Sequence, residues 1–112
     1  GVTGTRLDHL LAAVYLLDVI NSSGIHGKII DLHNEMLLVE NEVVLKKEKN
    51  FPFLSFLPFT RTVVVSVMGT KYELTNKRII QGRTIGISNV ITGKFCKVNV
   101  SQGKLIIIRS KD

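Results

Sequence analysis

The chain has 112 residues, 45% of them hydrophobic and 21% charged, which excludes a disordered polypeptide and allows one domain with a single core. The formal charge of +6 favours anionic partners such as lipid headgroups or nucleic acid, although solubility alone accounts for such a balance equally well. Its one cysteine, Cys96, excludes an intramolecular disulfide, and the apolar run Leu10–Leu17 is far shorter than the ~20 residues a membrane-spanning helix needs.

The first expected element is a helix over residues 5–22. Thr5 and Asp8 form a capped start, and Leu7, Leu10, Leu11, Val14 and Leu17 follow helical spacing. Ala13, Leu16, Val19 and Ile20 fill the opposite side, so the helix is apolar nearly all round and expects burial on more than one face. Asn21-Ser22-Ser23-Gly24 supplies its stop. From Gly27 the pattern turns to strands over residues 28–109: Lys28–Leu32, then Met36–Leu45 with Glu40-Asn41-Glu42 as a polar interruption. A charge run, Lys46–Asn50, precedes Phe51–Phe59, whose two prolines forbid a central strand. Further strands are expected at Thr60–Met68, Lys71–Leu74, Arg78–Gln81, Thr84–Ser88, Phe95–Val100 and Lys104–Arg109. Gly69, Gly82, Gly93 and Gly103 separate most of them, as in antiparallel hairpins of a barrel or sandwich.

The organising stretch is Lys71–Ile80, expected to bend between two paired strands, with Thr75 and Asn76 at the turn. Its Tyr72-x-Leu74-Thr75-Asn76-Lys77-Arg78-Ile79-Ile80 run resembles the signature of bacterial pleckstrin-homology-like domains and their GRAM-type relatives. The acidic segment that such domains carry upstream is matched by Leu37–Leu45, and the resemblance extends from Leu37 to Ile108. It implies an antiparallel barrel-like sheet, and with the N-terminal helix read from its spacing the expected fold is α+β, that helix packed on the sheet and all 112 residues forming one domain by length. It also implies a non-catalytic binding module, acting at a membrane surface or on a protein partner. The closing C-terminal helix of that family has no counterpart after Lys104–Arg109. A longer chain, the N-terminal helix or a partner would have to supply that cap, and a homo-oligomer through the helix is one form of the last.

The expected lipid- or anion-binding residues are Lys46, Lys47, Phe53, Phe56, Arg61, Lys77, Arg78 and Arg83. An apolar tip flanked by cations suits an anionic membrane, where each cation adds roughly 1 kcal/mol. The plainer alternative, that the phenylalanines fill the core, is the stronger one. For Lys71, Lys77, Arg78 and Arg83 a solvated charge cluster likewise outweighs a phosphate site.

No catalytic residues, metal or cofactor are expected. His9, His26 and His33 lack ligand spacing, no nucleophile–base arrangement stands out, and Cys96 is expected as a small core side chain. The location expected is cytoplasmic or peripheral to a membrane. Two other classes compete: a basic barrel binding single-stranded nucleic acid, with Phe95 or Tyr72 stacking bases, and a pilin-like structural subunit lacking its membrane segment. An enzyme ranks last.

Overall fold

The computed structural model describes residues 12–13, 15–19, 27–30, 34–82 and 89–111. Eight strands carry most of these residues: β1 Lys28–Ile30, β2 Asn34–Val39, β3 Glu42–Lys46, β4 Phe53–Pro58, β5 Thr62–Met68, β6 Leu74–Ile80, β7 Phe95–Gln102 and β8 Leu105–Ser110. They make two antiparallel sheets, one ordered β1-β2-β8-β4 and the other β3-β7-β5-β6.

Side-chain alternation explains the layering. Successive residues of a strand face opposite sides, so a period-two pattern buries one face. In β5, Val63, Val65 and Val67 face inward with no exposed surface. Cys96, Val98 and Val100 do the same from β7, and Leu105 and Ile107 from β8. Leu54 and Phe56 of β4 complete the layer between the sheets. Each large apolar side chain taken fully from water contributes roughly 1.5–3 kcal/mol, so this layer is the main source of stability.

The chain crosses repeatedly between the sheets: β2, β4 and β8 lie in the first, and β3, β5, β6 and β7 in the second. Among the described residues, sequence-adjacent strands pair with each other only at β1–β2 and β5–β6. The crossing from β7 to β8 is tight. Gly103 has φ +81°, and a Cβ there would collide with the Thr62 carbonyl, so glycine is required.

Residues 12–13 and 15–19 are helical and lie on the outer face of the first sheet. Leu17 is buried there with Met36 and Leu38, and Ile29, Phe59, Ile106 and Ile108 pack around them. Lys104 anchors the segment, with its Nζ 2.5 Å from Asp18 and 3.4 Å from Glu40. Tyr15 meets Phe59 edge-on at 6.0 Å, while Tyr15, Leu16 and Val19 remain largely exposed.

These observations correct the expected fold. The described residues are mostly β, the β region is a two-sheet sandwich and not a closed barrel, and the described helical residues pack on one sheet of that sandwich and not on a barrel. The parts of the expected helix at 5–11 and 20–22, and the strand expected at Thr84–Ser88, lie outside the described residues. The bend also moves. The connection occupies residues 69–73, and Leu74–Ile80 is one strand. Asn76 sits inside that strand at φ 45°, beside the register shift between Val65 and Val67. A left-handed asparagine makes a bulge there, where the sequence led us to expect a turn. Glu40-Asn41 does break Met36–Leu45, and β4 is an edge strand, as suits Pro52 just before it and Pro58 at its end.

Candidate functional site

One row of the first sheet is polar where a sandwich interior is normally apolar. The registers align Glu35 with Arg109, Arg109 with Leu54, and Leu54 with Asn89. Glu35, Arg109 and Asn89 are only 7%, 5% and 2% exposed, and with Thr70 they make up the buried polar side chains among the described residues. A buried polar group must find partners or destabilise the fold. Glu35 pairs with Lys28 at 3.4 Å. The Arg109 guanidinium reaches across to donate from Nη2 to the Lys46 carbonyl at the end of β3.

Asn89 makes the second crossing. Its backbone exchanges hydrogen bonds with Leu54, both at 2.8 Å. Its Oδ1 accepts from the amides of Tyr72 and Val90, each at 3.0 Å, and its Nδ2 donates to the Tyr72 carbonyl at 2.8 Å. The side chain thereby ties the first sheet to the connection between β5 and β6.

That connection is tightly specified. Gly69 has φ +89°, and a Cβ on it would stand 2.6 Å from the Phe95 carbonyl, so only glycine lets the two segments approach. The Gly69 amide donates to Glu73 Oε2 at 2.8 Å, and the Thr70 hydroxyl donates to the Tyr72 carbonyl at 3.1 Å. Lys71 and Thr92 add backbone bonds to Val90 and Gly69. The result presents the Tyr72 ring to solvent, 53% exposed, with the Lys71 ammonium 5.3 Å from its centroid. Lys47 joins the same rim by donating its amide to the Lys94 carbonyl at 2.8 Å. A half-exposed aromatic face beside rigid backbone suits a flat cationic or aromatic ligand.

The residues expected from sequence do not share one surface. Lys46 and Lys47 lie at this rim. Lys77 and Arg78 lie on β6, at the opposite edge of the second sheet from β3. Arg61 sits at the other end of that sheet, where its carbonyl accepts from Gln81. Phe53 is half-buried, Phe56 is 1% exposed in the core, and Arg83 lies outside the described residues. Phe56 therefore cannot form an inserting tip. Asn89 and Arg109 were missed. A lone Asn after Ser88 looks like turn chemistry, and Arg109 at the end of an apolar strand looks like a boundary.

Cys96 is in the core, as expected, and burial pushes its thiol pKa up, against the opposing charge of Arg109 and a backbone hydrogen bond at Leu45. The three histidines lie outside the described residues. Among the described residues no group of three metal-type side chains converges, and no helix is long and apolar enough to cross a membrane.

Comparison with known proteins decides the family. The profile described as "Thiamin pyrophosphokinase, vitamin B1 binding domain" matches residues 40–105, more than half of the chain. The chain belongs to this family. Thiamine pyrophosphokinase of Bacillus subtilis is 33% identical over 114 residues, covering 100% of this chain and 53% of that protein. The crystal structure of the Bacillus subtilis enzyme superposes with a TM-score of 0.88 at 32% identity, over 94% of this chain and 50% of that one. The thiamin pyrophosphokinase structure from Geobacillus thermodenitrificans gives 0.86 at 31% identity, over 96% and 50%. The chain thus spans about half the length of these relatives.

Membership of the vitamin B1 binding domain family overturns the pleckstrin-like and GRAM-like resemblance, and with it the lipid-binding role. The relatives are enzymes, so the non-catalytic reading falls too, as do the nucleic-acid barrel and the pilin-like subunit. The physical reason is plain in the fold: Leu37–Leu45 runs through two strands of different sheets, and Tyr72–Ile80 is a connection followed by an edge strand.

Proposed function

We propose that this chain is the thiamin-binding part of a thiamin pyrophosphokinase, an enzyme that transfers a pyrophosphoryl group to thiamin. The observation that supports it most is that the family match, residues 40–105, contains the whole rim built by residues 69–73 and 89–95. Thiamin carries a permanent cation in its thiazolium ring. A Tyr face attracts such a cation, and here it already attracts one, the Lys71 ammonium, which the thiazolium would displace from the ring. The chain's own contribution is to bind and orient: the ring of Tyr72 receives thiamin, and Asn89 fixes the backbone that carries the ring. A cytoplasmic location accompanies this reading, and the buried free thiol of Cys96 is compatible with it.

Titration calorimetry with thiamin tests the proposal. Tyr72→Ala should weaken binding about tenfold, whereas Tyr72→Phe, which keeps the ring face, should stay within about twofold, since a cation–π contact is worth about 0.5–2 kcal/mol. Equal affinity for the protein and its Tyr72→Ala variant would remove thiamin from this rim.

A further inference from the structure

The polar row of the first sheet and the connection at residues 69–73 close into a ring of contacts around one end of the sandwich. From Leu54 the ring runs one way through Asn89, which exchanges backbone bonds with Leu54 and holds both backbone polar groups of Tyr72. It runs the other way through Arg109, aligned with Leu54 on β8, whose Nη2 donates to the Lys46 carbonyl. The last arc lies in the second sheet. Lys46 is aligned with Phe95, and the Lys47 amide donates to the Lys94 carbonyl. The Phe95 carbonyl lies so close to Gly69 that a Cβ there would stand 2.6 Å from it, and the Thr92 amide donates to the Gly69 carbonyl at 3.0 Å. Tyr72 is therefore held from two sides, directly by Asn89 and, through the ends of β3 and β7, by Arg109.

An arginine is an unfavourable side chain for this position if stability alone decides. Leu105 and Ile107, on the same face of β8, are apolar and fully buried. Arg109 is also buried, yet among the described residues it is in no ion pair and its Nε has no hydrogen-bond partner. Glu35, aligned with it on β2, is taken by Lys28. A buried charge without a counter-ion destabilises a fold, and an apolar side chain of similar volume is often the more stable choice. The bond that the guanidinium does make goes to the other sheet, to the strand end that meets β7 beside Gly69. Resting on the thiamin-binding reading, we infer that Arg109 is a positioning residue for the thiamin site: its guanidinium fixes the ends of β3 and β7 against Gly69, and so sets where the Tyr72 ring stands, while lowering the stability of the fold.

Arg109→Met and Arg109→Lys test this. Methionine keeps an apolar stem and removes the charge; lysine keeps the charge but lacks Nη2, the donating atom. Urea denaturation should find Arg109→Met at least as stable as the protein itself. NMR of isotope-labelled tyrosine rings, of which the chain has two, should show the Tyr72 resonance displaced in both variants and that of Tyr15, which stacks edge-on against Phe59, unmoved. Calorimetry under conditions where each variant is folded should show thiamin bound about fivefold more weakly by both, as expected when one hydrogen bond no longer organises a site. An arginine with a merely structural role gives the reverse: a lower urea midpoint, with the Tyr72 resonance and the thiamin affinity of the folded protein unchanged. That result would overturn the inference, and so would a displaced Tyr72 resonance with unchanged thiamin affinity. Failure of Arg109→Met to fold would refute the stability part, and Arg109→Lys then decides the positioning part on the same two readouts. No thiamin binding by the protein itself, with Tyr72 displaced in the variants, would instead remove the thiamin reading and keep Arg109 as the residue that places Tyr72.

Discussion

Asn89 holds both backbone polar groups of Tyr72, accepting from its N–H at 3.0 Å and donating to its carbonyl at 2.8 Å. A carboxamide is the smallest side chain that presents a donor and an acceptor side by side, so it imitates a strand partner where no strand is available. The first sheet thereby dictates where an aromatic ring stands on a loop of the second.

Removing this carboxamide should cost both stability and ligand affinity. Asn89→Ala leaves the Tyr72 amide without its partner and the Tyr72 carbonyl with the Thr70 hydroxyl alone, at about 2 kcal/mol. For a domain of this size that lowers the thermal midpoint by roughly 10 °C. Asn89→Asp keeps the acceptor but sets an oxygen against the Tyr72 carbonyl. It should be restored in part by acid, when the carboxyl regains a proton to donate. Thermal melts across pH check this, and an Asn89→Asp variant equally stable at neutral and acidic pH would contradict it.

Lys104 clamps the helical segment to the sandwich, and its alkaline titration should release that clamp. The hydrogen bond to Asp18 is the main cause that holds its pKa above the ordinary lysine value, opposed by desolvation and helped by Glu40. A raised pKa in the folded state means the contribution is complete below the unfolded value of about 10.4 and disappears as pH rises through the folded value. The stability gap between the protein and Lys104→Met should therefore be constant up to about pH 10 and close above it. Denaturant titrations at a series of alkaline pH values measure the gap. A gap that persists undiminished at the most alkaline pH would show that Lys104 acts through packing of its stem.

Cys96 gives a probe of local opening. Its thiol is 2% exposed, and burial raises its pKa, so the reactive thiolate is scarce and shielded. Iodoacetamide should label it only slowly in the native protein at mildly alkaline pH and at the ordinary thiol rate in denaturant. Mass spectrometry follows the label. Fast native labelling would mean that the β3–β7 ladder opens readily.

How much of this was legible in the sequence depends on the range of the forces involved. Val63, Val65 and Val67 declare β5 by alternation alone, because the period-two pattern is local. The break at Glu40-Asn41 was legible for the same reason. Which sheet each strand joins was not, since β2 and β3 are adjacent in sequence yet lie in different sheets. That choice is made by long-range packing. Thr75-Asn76 looked like a turn because asparagine tolerates the left-handed region, and Asn76 does occupy it, but inside a bulged strand. At the site, Tyr72 and the lysines were visible as residue types. Asn89 was not, because its function comes from burial against Leu54 and Tyr72, which no neighbouring residue encodes.

The phenylalanine stretch separates a core role from a surface role within a few residues of one strand. Phe56 is 1% exposed and aligned with Ile107 in the middle of the first sheet. Phe53 begins the strand, half-buried and paired with Ser110 at the sheet's end. Phe56→Ala should leave a cavity between the sheets and cost about 3–5 kcal/mol, a large share of the stability of such a domain. Phe53→Ala should cost well under half of that, because water already reaches the ring and the end of the strand can relax. Urea denaturation of both variants compares them directly. If membrane insertion were the purpose of the stretch, the two would be interchangeable in stability, and vesicle binding would be what they lose. Comparable midpoints for Phe53→Ala and Phe56→Ala would therefore contradict the placement of Phe56 in the core.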